Sequence, residues 1–172
     1  MNAKISKAWC LLTVKDMKKA RHFYEEILEQ KVMSVAGDDH TVYEGQFALQ
    51  TDYAGIVNGT PNFAATPTGA NIGAPVYRAN NFQLAFEVED LAYWRAKLQA
   101  APDITLIHDI HEYVWGQKGF RFYDHDGHIV EISERVKNVA LRLMADGQTI
   151  EQIAEFWGDT VAGVQAILDE EW

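Results

Sequence analysis

The sequence predicts an α+β protein in which a βαβββ unit occurs twice within one domain and a small helical extension follows. Three observations lead there. A strand, an acidic helix cap and an apolar residue recur as WCLLTVKDM at residues 9–17 and QLAFEVEDL at 83–91, an offset of 74 residues. Each copy is followed by a helix-spaced apolar stripe and then by short apolar segments parted by turn-formers. An offset of this size is too long for a stacked solenoid repeat and too short for separate domains, which leaves a pseudo-twofold duplication within one fold.

In the first unit a strand at 9–14 leads to Asp16 as a helix N-cap. Met17, Ala20, Phe23, Tyr24, Ile27 and Leu28 then form one apolar stripe. Segments 32–35, 41–43 and 47–50, parted by Gly37-Asp38-Asp39 and Glu44-Gly45, read as a three-stranded meander. In the second unit a strand opens at Gln83 and Asp90 caps a helix with Leu91, Trp94 and Leu98 on one face. An apolar run follows from Ile104, then strands 120–123 and 129–133 around the turn Asp124-His125-Asp126-Gly127. The paired units occupy residues 1–134. Between them, residues 53–80 hold one charge, Arg78, three of the four prolines, four Gly and four Asn, the composition of an inter-repeat linker or a lid. Residues 135–172 read as about three helices, with Gly147 as a C-cap, Thr149 and Gln152 as a capping box and Asp159 starting the last.

At 172 residues with 48% apolar composition the chain has the makings of a real core, and its 23% charged content is far from the profile of disorder. The 15 Lys and Arg against 25 Asp and Glu give a net charge of −10, with no basic run to attract phosphate backbones or anionic headgroups. Residues 148–168 have a helix-turn-helix outline, yet residues 135–172 carry three basic against seven acidic side chains, which excludes a DNA reader. The extension is therefore expected to lay its apolar stripe on the sheet domain or on a partner subunit. No window reaches 18 uninterrupted apolar residues, so no membrane span is expected. A single cysteine, Cys10, and a start without a signal peptide's apolar stretch point to a cytoplasmic protein.

The paired βαβββ units, and above all WGQKGFRFYDHDGHIVEI at residues 115–132, resemble the vicinal oxygen chelate superfamily of glyoxalase I, extradiol dioxygenases and fosfomycin- and bleomycin-resistance proteins. The resemblance covers roughly residues 5 to 134. It implies that the two units form a half-barrel mixed sheet, the glyoxalase-like fold, with a ligand cavity on the concave face, and that the protein pairs as a homodimer. Strand alternation agrees with two distinct faces. Leu84, Phe86 and Val88 separate from Gln83, Ala85 and Glu87; Cys10, Leu12 and Val14 from Trp9, Leu11 and Thr13; Phe47 and Leu49 from Ala48 and Gln50; and Val130 and Ile132 from Ile129 and Glu131.

The metal-bearing members place ligands on the first and last strands of each repeat, which the resemblance carries to Trp9, Gln50, Gln83 and Glu131. Only Glu131 is a strong cation ligand, since amide oxygens are neutral and an indole nitrogen offers no lone pair. A divalent metal on Glu131, Gln83 and Gln50 is thus less expected than a metal-free site, and a two-His, one-carboxylate iron site less still. His108 and His111 would point to opposite faces of a regular strand, His125 and His128 are expected to be solvated, and His22 and His40 have no visible partner. Arg121 should share the cavity face with Gln117, Gly119 and Tyr123, either paired with Glu131 or gripping a ligand carboxylate or phosphate. Trp9, Trp115 and Phe82 are aromatic walls or core packing, and Glu87 is a general base if burial raises its pKa.

Two functions follow from the resemblance. One is a glyoxalase-like lyase or isomerase, with Glu131 and Glu87 as catalytic carboxylates. The other is a metal-free protein that sequesters a small organic, anionic ligand on Trp9, Gln50, Gln83, Trp115, Gln117, Arg121 and Tyr123, in the manner of the bleomycin-resistance proteins.

Overall fold

The computed structural model describes residues 10–51, 78 and 80–171. Trp9 and nearly all of the 53–80 segment therefore lie outside the described residues. The chain divides into two compact units, Met1–Asn80 with His125–His128, and Asn81–Asp124 with Ile129–Trp172.

In the first unit β1 (Cys10–Thr13) leads to α1 (Met17–Arg21), capped by the Asp16 carboxylate, which accepts the Lys19 amide at 3.0 Å. The helix then widens into a π turn over His22–Ile27, closed by the Leu28 amide donating to the Phe23 carbonyl at 2.9 Å. That wider turn shifts the expected stripe: Ala20, Phe23, Tyr24 and Leu28 are buried while Ile27 is only half-buried. The meander follows as β2 (Val32–Ala36), β3 (His40–Tyr43) and β4 (Phe47–Gln50). The sheet order is β1-β4-β3-β2, with β1 and β4 parallel and the remaining pairs antiparallel.

The second unit repeats this plan. It comprises β5 (Gln83–Val88), α2 (Leu91–Gln99) capped by Asp90, β6 (Thr105–Glu112), β7 (Lys118–Tyr123) and β8 (Ile129–Glu134). Its order, β5-β8-β7-β6, again sets first and last strands parallel. The fold is α+β, with two four-stranded mixed sheets and matching topology, as the sequence predicts. Phe120, Phe122, Val130 and Ile132 form the buried face of this second sheet, and Leu98 of α2 is buried with them.

The extension consists of α3 (Val136–Ala145), α4 (Ile150–Trp157) and α5 (Val161–Asp169). The capping box of Thr149 and Gln152 is present, and Ile153, Ala154 and Val164 meet in a small core with Leu143, Ile150, Trp157 and Leu168 around it. One boundary differs from expectation: Thr160, not Asp159, caps α5, its hydroxyl accepting the Gly163 amide at 3.0 Å. Asp159 instead accepts the Thr160 amide. The extension belongs to the second unit and packs against it. No described helix is long and apolar enough to cross a membrane.

Candidate functional site

The face of the second sheet opposite its core carries the polar residues. Strand register sets Ala85 of β5 beside Glu131 of β8, Glu131 beside Arg121 of β7, and Arg121 beside His108 of β6. The next row is Glu87, Ser133, Gly119 and His111. Paired residues in neighbouring strands share a face, so an acid, a base and two imidazoles converge.

Glu131 is buried, its side chain only 6% exposed, and the expected ion pair is there: Arg121 Nη2 donates to Glu131 Oε2 at 2.9 Å. Gln83 closes a ring around this pair. Arg121 Nε donates to Gln83 Oε1 at 3.0 Å, and Gln83 Nε2 donates to the same Glu131 Oε2 at 2.6 Å. A guanidinium can only donate, so the amide of Gln83 must turn its oxygen to Arg121 and its NH2 to Glu131. Arg121 also reaches His108, with Nη1 3.3 Å from Nε2. His108 Nε2 therefore presents its lone pair, and Nδ1 carries the hydrogen donated to the Asp109 carbonyl at 2.9 Å.

The histidine expectation needs correction. Two register shifts in β6, between Leu106 and His108 and between His108 and His111, break the strict alternation that would send the two imidazoles apart. The rings of His108 and His111 lie 4.3 Å apart edge to face, and both meet Tyr113, at 6.0 and 4.7 Å. Tyr113, which sequence reasoning did not single out, stacks on Trp115 at 4.6 Å and sits under the Arg121 guanidinium at 4.7 Å. The pattern His-x-x-His-x-Tyr-x-Trp was visible in the chain, but only the bulges bring its rings together. Trp115 remains 41% exposed, and Phe82 is exposed to the same extent.

Gln117 is buried and fully used. Its Nε2 donates to the Glu134 carbonyl at 2.7 Å and lies 3.3 Å from Ser133 Oγ and 3.4 Å from Glu87 Oε1, while its Oε1 accepts the Trp115 indole at 3.0 Å. It thus fixes the indole rather than meeting solvent. Glu87 remains open to water on one side, yet desolvation raises its carboxyl above the usual range, against the opposing bonds from the Val136 amide and Gln117. Tyr123 is half-buried on the Arg121 face, opposite Ile129 and Thr105 in register.

Gln50 belongs to the first unit, where it is buried and bonded to His40 Nδ1 at 2.7 Å and to the Thr51 carbonyl at 2.6 Å. His40 therefore has a partner after all. His125 is likewise not solvated: its side chain is 7% exposed, its Nε2 lies 3.0 Å from Asp126 Oδ2, and its ring meets Phe23 at 6.0 Å. The first unit also carries an open groove of about 740 Å³ at the start of α1, where Lys15, Lys18 and Arg21 face Asp16, Glu25, Glu26 and Asp38.

The residues present do not fit a divalent metal. Glu131 Oε2 already accepts two N–H donors, one from Arg121 and one from the Gln83 amide, and no group of three His, Cys, Asp or Glu among the described residues could hold an ion.

The Tyr113 hydroxyl is buried and makes no well-formed hydrogen bond among the described residues. Gly119 leaves it room, since a methyl there would lie 3.0 Å from the hydroxyl. Burial, with the nearby Glu131 charge second, pushes this phenol from 10.0 up to about 12. Between those values the unfolded chain has lost the proton that the folded chain keeps, so stability falls as pH rises from about 10 to about 12. Tyr113→Phe is expected to change stability at pH 7 by less than about 1 kcal/mol and to remove roughly 2 kcal/mol of that alkaline loss. Urea unfolding of both proteins at pH 7, 10 and 11.5 checks it, and an unchanged alkaline slope refutes it.

A family model described as a glyoxalase-like domain matches residues 8–137. Among solved structures, a protein of unknown function from Agrobacterium tumefaciens is 25% identical, with a TM-score of 0.61 over 76% of this chain and 94% of that one. A glyoxalase/bleomycin resistance/dioxygenase family enzyme from Burkholderia phytofirmans is 16% identical, with a TM-score of 0.57 over 74% and 96%. A lactoylglutathione lyase from Agrobacterium tumefaciens is 17% identical, with a TM-score of 0.52 over 77% and 96%. The last two likenesses concern the fold alone. No curated protein matches the chain.

Proposed function

Because the chain belongs to the glyoxalase-like domain family, we propose that it binds a small planar organic anion without a metal, on the open sheet face of its second unit. The observation that carries this reading is the Arg121–Gln83–Glu131 ring beside the Tyr113–Trp115 stack. The ring occupies the Glu131 carboxylate, the strong cation ligand among the four positions that the resemblance points to. It also holds a guanidinium rigidly, with three of its five N–H groups engaged by Gln83, His108 and Glu131 and the rest able to donate to a ligand oxygen. Trp115 supplies a half-open indole face on which a flat molecule can stack. This is the drug-sequestering reading, and it stands on the metal-free ring and the aromatic stack. Homodimer formation and a cytoplasmic location belong to the same proposal.

The test is a tryptophan-fluorescence titration with 1-naphthoate, together with metal analysis of protein purified without chelators. Naphthoate is expected to quench the wild type. Trp115→Ala should weaken binding by roughly tenfold, the order of one stacking interaction. Stoichiometric Ni, Zn, Mn or Fe that disappears in Glu131→Ala would overturn the metal-free reading.

A further inference from the structure

The turn at 113–117 that carries Trp115 is held from outside the family-matched segment. The Trp157 indole, at the end of α4, donates to the Trp115 carbonyl at 2.9 Å. Arg142 of α3 donates through Nη2 to the Gly116 carbonyl at 2.7 Å and to Glu134 Oε1 at 2.8 Å, and its Nη1 lies 3.8 Å from Glu112. One guanidinium thus gathers the turn and the ends of β6 and β8. Gly116 completes the fit: its φ is +88°, and a Cβ there would lie 3.3 Å from Val139 of α3 and 3.7 Å from Phe156 of α4. The positive φ favours glycine at this point of the turn, and a side chain there would also press on Val139. Within the turn the Gly116 amide bonds the Tyr113 carbonyl, and the Tyr113 amide bonds the Gln117 carbonyl, each at 2.8 Å.

We propose that the helical extension is a positioning device for the aromatic platform, with Arg142 and Trp157 fixing the 113–117 turn so that Trp115 presents one indole face. Both residues lie past residue 137, where the match to the family model ends. The effect on binding rests on the reading of Trp115 given above; the effect on the turn does not. Fixing the turn before a ligand arrives removes an ordering cost from binding, so loosening it lowers affinity even though every group that touches the ligand is kept.

The experiment combines hydrogen exchange with the naphthoate titration, on the full chain. Trp157→Phe keeps an aromatic ring and removes the N–H donor, and Arg142→Met keeps an apolar stem and removes the charge. Lys137→Met is the control, since Lys137 bonds the Glu170 carbonyl and touches no residue of the 113–117 turn. Both test variants are expected to raise exchange at 113–117 about tenfold, with β5 unchanged, and to weaken naphthoate binding several-fold; the control should do neither. Unchanged exchange at 113–117 in both variants overturns the positioning role. So does faster exchange with wild-type affinity, because the turn then matters to folding and not to binding. Exchange that rises equally across the whole second unit also overturns it, as simple destabilisation. If naphthoate fails to bind the wild type, the ligand reading fails, and the exchange result alone decides whether the extension holds the turn.

Discussion

Arg121→Met is expected to lower the unfolding free energy by about 3 kcal/mol, whereas Arg121→Met combined with Glu131→Leu should recover most of that loss. The single variant leaves the Glu131 carboxylate, 6% exposed, with only the Gln83 amide to compensate its charge. It also forfeits the cation resting on the Tyr113 ring. The double variant removes the charge together with its partner, so no group pays desolvation alone. Arg121 is itself 24% exposed, which keeps the expected figure at the lower end for a buried pair. Urea unfolding of the two singles and the double closes the cycle. Equal and additive losses would mean that the ring contributes nothing as a unit, and that its role in stiffening the guanidinium has to be abandoned.

Phe47→Ala should cost about 3–5 kcal/mol, the usual range for emptying a buried aromatic site. Phe47 is fully buried in the first unit, stacked on Tyr43 at 4.6 Å and 16° and tilted against Tyr24 at 5.3 Å. Tyr24 meets Phe23 edge to face at 5.2 Å, so four rings form one continuous cluster beneath the first sheet. Phe47→Leu, which keeps most of the volume, should cost roughly 1 kcal/mol. A denaturant series on both variants decides the matter, and a loss below about 1 kcal/mol for the alanine would show that the site collapses around the gap. A second readout is the Tyr43 phenol. Burial, with the Glu25 charge second, raises it above the ordinary tyrosine range, and an opened cavity should bring its alkaline titration back toward normal.

The fold was legible because burial is periodic. Duplicated strand-cap-helix segments, alternation of period two in β5, and helical spacing beyond each cap all encode which face meets the core, and the structure puts Leu12, Val14, Val88, Val130 and Ile132 there. Alternation fails in β4, where Phe47, Ala48, Leu49 and Gln50 are all buried, because a strand covered on both faces loses its polar period. The caps at Asp16, Asp90 and Thr149 were legible for a different reason: each depends on a bond to the amide three residues away.

The site was legible only as a list of residues sharing a face. Strand parity put Arg121 on one face of its strand with Gln117, Gly119 and Tyr123, and the family resemblance put that strand beside the one carrying Glu131. Tertiary structure decided which way the Gln83 amide turns, because that depends on a donor 38 residues away. It decided that His108, His111 and Tyr113 meet, because a bulge adds a residue to one strand without any mark in its pattern of polar and apolar side chains. And it decided that a turn at 113–117 is held by Arg142 and Trp157, because such bonds form only when separate elements pack, and packing geometry has no local period to read.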